Sequence, residues 1–151
     1  MNGTNRLSAS LEDYLEAIYH SRDDKKMARS KQIQKRLGVS GASVTEACQQ
    51  LREKGLINYA PYEAITLTPD GEKHAQDVIF RHETLKAFFI EVLKVDPTTA
   101  DEGACKMEHV VSLTIVDRMI KYTKYLRLEK EEALLAGEES FSSFLEDPKG
   151  D

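Results

Sequence analysis

The chain has no tryptophan, two cysteines and only four prolines in 151 residues. Cys48 and Cys105 are too few for a disulfide framework, so stability must come from apolar burial, and a reducing cytoplasmic setting is expected. No apolar run approaches the roughly 20 residues that span a bilayer, which excludes a hydrophobic transmembrane helix. Met1 to Arg6 is followed by no apolar segment of the kind a secretory leader carries. A surplus of positive charge is also missing, with 21 Lys and Arg against 26 Asp and Glu. A uniformly basic nucleic-acid-binding surface is therefore excluded. What is present is a hydrophobic fraction of 40%, enough for a packed core and too high for wholesale disorder.

The charge is unevenly spread. Residues 1–73 carry 11 basic and 10 acidic side chains, a net of +1, and residues 74–151 carry 10 and 16, a net of −6. A near-neutral first half can still present one basic face, while the acidic second half can supply metal ligands.

Periodicity divides the chain into a mainly helical pattern with one small β-hairpin. Ser8 or Ser10 caps a first helix to about Ser21, with Leu11, Tyr14, Leu15, Ile18 and Tyr19 as its apolar stripe. Ser30 is the expected N-cap of a short second helix ending at Gly38, and Ser40 that of a third through Lys54, where Val44, Cys48 and Leu51 mark the buried face. The period then shortens. Leu56–Tyr59 and Ile65–Thr68 read as two strands around a turn at 60–64. A long helix is expected from Pro69 to about Val95, a shorter one over Asp101–His109, and another from Ser112 to Leu126. In the acidic tail, Leu134, Leu135, Phe141, Phe144 and Leu145 are expected to dock on the body.

Two short helices with a tight glycine-containing connection, followed by a hairpin, make a winged helix-turn-helix pattern. Its third helix would enter the major groove of DNA, with Ser40, Gly41, Ala42, Ser43, Thr45 and Glu46 at its leading end. Arg29, Ser30, Lys31, Lys35 and Arg36 are candidate phosphate contacts, and Tyr62, in the hairpin turn, joins the set. The same geometry also serves in protein-binding modules, and Glu46 works against a strongly basic surface.

Cys105, Glu108 and His109 stand at i, i+3 and i+4, so on a continuous helix a thiol, a carboxylate and an imidazole would share one face. Asp13 and Glu16 are spaced i and i+3 on the first helix, and His82 falls in the long one. Taken singly, each is an ordinary surface or core residue; together they form a donor set for a divalent transition metal.

Three segments, 11–19, 38–45 and 80–83 with 102–109, resemble the diphtheria-toxin-repressor family of metal-dependent transcriptional regulators, in particular its short manganese-regulator branch. The resemblance covers about residues 8–126 in one order and spacing. It implies a winged-helix DNA-binding domain over 1–73, followed by an all-α metal-binding and dimerisation domain with an acidic tail over 74–151. It also implies a homodimer, palindromic operator DNA as partner and no enzymatic activity. Carried over residue by residue, the metal site falls on Asp13, Glu16, His82, Cys105, Glu108 and His109. Asp13 is the choice of the short manganese branch and Cys105 that of the iron-dependent branch. The thiolate places Fe²⁺ ahead of Mn²⁺ as the expected ion, with Zn²⁺ or Co²⁺ able to substitute in vitro. Beside His82, Lys86 and Asp101 replace a carboxylate and a histidine of the longer members' ancillary site. Two other functions are compatible with the residues alone. One is a metalloenzyme with Glu108 as general base. The other is a metal-independent winged-helix regulator with Cys105 as redox sensor.

Overall fold

The structure, a computed structural model, describes residues 7–136 and 141–146, the side chains at 130–136, 143 and 144 excepted. It is mainly helical, with one two-stranded antiparallel sheet, and divides into two compact units, residues 1–80 and 81–151.

The first unit is built around α1 (Ala9–His20), α2 (Ser30–Leu37) and α3 (Gly41–Glu53). Ser8 caps α1 by accepting the Leu11 N–H at 3.2 Å. Leu11, Tyr14, Leu15, Ala17 and Ile18 are buried as the helical spacing requires, and Glu12 is buried beside them. Ser30 is the first residue of α2 and not its cap. The Arg29 N–H is taken instead by the Gln32 side chain at 2.9 Å, while Ser30 Oγ accepts from Gln34 Nε2. Gly38 ends α2 at φ 66°, a left-handed conformation that a residue with a Cβ adopts at a cost. Ser40 then caps α3 by accepting the Ser43 N–H. Ile33, Val44, Ala47, Cys48 and Leu51 close the core against α1. Each fully buried large aliphatic side chain contributes about 1.5–3 kcal/mol.

The hairpin is shorter than its sequence pattern. β1 (Ile57–Asn58) pairs with β2 (Thr66–Leu67) in the register Ile57 to Leu67 and Asn58 to Thr66. An isolated bridge between Ala28 and Ile65, with backbone hydrogen bonds of 2.9 and 2.8 Å, ties the base of the wing to the approach of α2. Periodicity does not reveal this bridge, because one paired residue has no period.

α4 (Pro69–Glu91) begins in the first unit and continues into the second. It stops short of the expected Val95; Lys94, at φ 58°, turns the chain. α5 is Pro97–Met107, displaced from the expected Asp101–His109. Asp96 and Pro97 do more than break the preceding helix. Asp96 accepts the N–H groups of Thr98 and Thr99 at 3.1 and 3.0 Å, and Pro97 takes the first helical position, where an N–H is not needed. α6 (Leu113–Ala136) runs ten residues beyond its expected end, and α7 spans Phe141–Glu146. Leu85, Ala104, Val111 and Val116 form the core of this unit, with Phe89, Met119 and Ile120 packed against it. Phe141 and Leu145 are exposed, against the expected docking of the tail; the side chains of Leu134, Leu135 and Phe144 lie outside the described residues.

Candidate metal centre and nucleic-acid interface

The second unit gathers three of the candidate ligands. α4 supplies His82 and the end of α5 supplies Glu108 and His109. Glu108 is the C-cap of α5, still helical in φ and ψ with its N–H on the Ala104 carbonyl, and His109 lies in the turn beyond it, so the expected helical face holds through Glu108 and stops before His109. Glu108 has no exposed surface, whereas Cys105, one turn earlier, is exposed. A carboxylate with no solvent is costly unless charge or hydrogen bonds compensate it. Here His82 Nδ1 stands 2.6 Å from Glu108 Oε2, and His109 Nε2 lies 3.4 Å from Oε1. Both imidazoles are largely buried, at 13% and 8% side-chain exposure.

On its other edge the His82 ring meets Asp101, with Nε2 3.1 Å from Oδ1. The same oxygen is 2.8 Å from Lys86 Nζ. The Lys86 ammonium, then His82, hold the Asp101 carboxyl below the usual range, and Asp101 in turn raises the Lys86 amine. The two residues that the sequence places at the ancillary position thus form an ion pair with each other, on the outer edge of His82.

A buried carboxylate with one nitrogen donor at each oxygen is an O/N donor set of the kind that suits Mn²⁺, Fe²⁺ or Zn²⁺. The residues present in this unit fit a divalent cation. Of the remaining candidates, Asp13 and Glu16 lie one turn apart on α1 and are half-buried. The Glu16 carboxylate has His20 Nε2 at 3.5 Å, a neighbour one turn on that the sequence does not single out.

The first unit carries the candidate nucleic-acid interface. Ser40, Ala42, Ser43, Thr45 and Glu46 are exposed along the leading end of α3, while Val44 and Ala47 turn inward. Arg29, Lys31, Lys35 and Arg36 are exposed around α2, and Ser30 and Gly41 are half-buried. Tyr62 stands fully exposed at the hairpin turn, at φ 65°. Arg29, Lys31, Thr45, Gln49, Tyr59 and Tyr62 line a groove of about 570 Å³ between the helices and the wing. Gln49, one turn beyond Thr45, was not among the sequence candidates, although the spacing of four residues from Thr45 is a legible signal.

A helix-turn-helix with a wing, joined in one chain to a helical unit holding a buried His/Glu/His cluster, defines a DNA-binding protein of the metal-responsive class. Comparison with known proteins makes this specific. Residues 6–65 match the family described as iron dependent repressor, N-terminal DNA binding domain, and residues 68–132 match iron dependent repressor, metal binding and dimerisation domain. The chain belongs to the iron-dependent repressor family of metal-dependent DNA-binding transcriptional regulators. An uncharacterised HTH-type transcriptional regulator of Methanocaldococcus jannaschii is 38% identical over 114 residues, covering 75% of this chain and 91% of the relative. The HTH-type transcriptional regulator MntR of Oceanobacillus iheyensis is 32% identical over 118 residues, 78% of this chain and 80% of the relative. Among solved structures, a manganese-dependent transcriptional repressor in complex with manganese superposes with a TM-score of 0.68 at 27% identity, over 76% of this chain and 53% of that longer one. Among the described residues no helix is long and apolar enough to cross a membrane.

Proposed function

We propose that this protein is a repressor that senses Fe²⁺ or Mn²⁺ in the cytoplasm, controls metal-uptake genes, and acts by binding DNA and not by catalysis. The observation that carries the reading is the buried Glu108 with an imidazole beside each oxygen, in a chain whose other unit is a winged helix. Glu108, His82 and His109 would hold the ion. Family resemblance adds Asp13, Glu16 and Cys105 as further ligands. A bound cation supplies positive charge that lets several carboxylates approach without repulsion.

Two pieces of support pull the choice of metal apart. The named relatives include manganese regulators. The thiol of Cys105 favours softer Fe²⁺ when it coordinates. We place Fe²⁺ ahead when the thiolate is a ligand and Mn²⁺ ahead when it is not. Cys105→Glu should accordingly move activation toward Mn²⁺.

For DNA, the exposed small and hydroxyl side chains Ser40, Gly41, Ala42, Ser43 and Thr45, with Glu46, are proposed to read base edges, and Arg29, Ser30, Lys31, Lys35 and Tyr62 to contact the backbone. A homodimer carries two such helices, and a palindromic operator with half-sites about one helical turn apart is the matching substrate. A gel-shift titration on palindromic promoter DNA, with Mn²⁺, Fe²⁺, Zn²⁺ or chelator under reducing conditions, tests the reading. Metal-dependent retention lost on chelation supports it. Retention indifferent to chelator overturns it.

A further inference from the structure

The metal-binding reading leaves Lys86 and Asp101 without a task, yet the structure joins them to its central ligand. His82 is held at both ring nitrogens: Nε2 by Asp101 at 3.1 Å and Nδ1 by Glu108 at 2.6 Å. Asp101 is itself fixed by Lys86 at 2.8 Å. The three residues lie on two helices, His82 and Lys86 one turn apart on α4 and Asp101 on α5, so the arrangement also bridges those helices.

We propose that Asp101, braced by Lys86, is a positioning residue that fixes the His82 ring so that Nδ1 is the nitrogen offered to the metal. The inference rests on the metal-centre reading given above. With Nδ1 given to a cation the imidazole keeps one N–H, at Nε2, and the Asp101 carboxylate 3.1 Å away is placed to accept it. That hydrogen bond leaves Nδ1 as the donor atom turned toward Glu108. An imidazole whose far nitrogen is hydrogen-bonded to a carboxylate is a better and better-oriented ligand than a freely rotating one. Lys86 serves a distinct purpose. Its ammonium, 2.8 Å from Asp101 Oδ1, balances the carboxylate's charge and holds it against the outer edge of His82. Asp101 and Lys86 are partly exposed, at 51% and 32% of their side chains, so replacing them leaves the core of the unit intact.

The test uses the full-length protein with Zn²⁺, a diamagnetic probe. Imidazole ¹⁵N NMR of the Zn²⁺-loaded wild type should show His82 metallated at Nδ1 with Nε2 still protonated; metal on Nε2 overturns the proposal. Direct titration should show Zn²⁺ affinity falling about 10- to 100-fold in Asp101→Leu, and by a smaller factor in Lys86→Gln. Asp101→Glu should restore most of the loss, which a merely structural role would not predict. Unchanged affinity in Asp101→Leu, alongside a large loss in Glu108→Gln, sinks the positioning role and leaves the metal centre standing. If neither variant changes affinity and the His82 signals do not respond to Zn²⁺, the metal centre falls and the proposal with it.

Discussion

The two cysteines show how burial separates residues of one chemistry. Cys48 is sealed in the core of the first unit, and desolvation pushes its thiol up to about 11, so it stays protonated and unreactive across the physiological range. Cys105 is exposed. Brief treatment of metal-free protein with iodoacetamide should therefore label Cys105 and spare Cys48, with mass spectrometry locating the adduct; labelling of both should require denaturant. A second residue-scale prediction concerns Gly71, in the first turn of α4. A Cβ there would lie 1.8 Å from the Leu56 carbonyl oxygen, and that oxygen is already engaged by the Thr68 N–H at 3.0 Å. Gly71→Ala must push the hairpin away from α4, at a cost of about 1–3 kcal/mol, measurable as a lower urea midpoint.

At the scale of the element, α5 depends on its cap. Hydrogen bonds from Thr99, side chain first and then backbone, with a further one from the Thr98 N–H, hold Asp96 below the usual carboxylate range. A depressed folded pKa contributes stability that is present above the unfolded value and lost as pH falls through the folded one. The stability advantage of wild type over Asp96→Asn should thus be present at neutral pH and shrink in acid. Thermal melts followed by circular dichroism across the acid range would check this; an advantage independent of pH would show that the charge of Asp96 contributes nothing.

The same element shows what sequence patterns reveal and what they hide. The spacing of Cys105, Glu108 and His109 reads as one helical face only if the helix continues through all three. Asp96 and Pro97 carry two signals at once, a stop for α4 and a start for α5, and taking only the first displaces α5 by four residues at its start. By contrast α1 and α3 were legible almost to the residue, because a serine precedes a clean apolar stripe in each; Ser40 caps α3, and of the two candidates Ser8 and Ser10 it is Ser8 that caps α1. α2 begins one residue earlier than its serine suggests, since Gln32 reaches back to the Arg29 N–H and takes over the capping.

For the whole molecule, the family's two activities must be linked. If metal favours the DNA-binding arrangement by some factor, operator DNA must favour metal by the same factor. Mn²⁺ affinity measured with a verified operator present should exceed that measured without it, and the ratio should equal the gain in DNA affinity on adding Mn²⁺. Equal metal affinities in the two titrations would exclude allosteric coupling and leave the ion a structural part.

The sequence alone determined the order of the elements through α6, the helix-turn-helix with its wing, and the donor types available to a metal. Apolar period, caps and turn residues act over a few positions, and that range suffices for such features. Tertiary structure decided which donors gather. The meeting of His82 with Glu108, and of both with the Asp101–Lys86 pair, depends on how α4 lies against α5. It also decided that Glu108 would be buried and Cys105 exposed, because the Glu108 carboxylate meets His82 of α4 and the Cys105 thiol faces outward. Distances across 19 and 26 residues of chain are set by long-range burial, which local spacing does not encode.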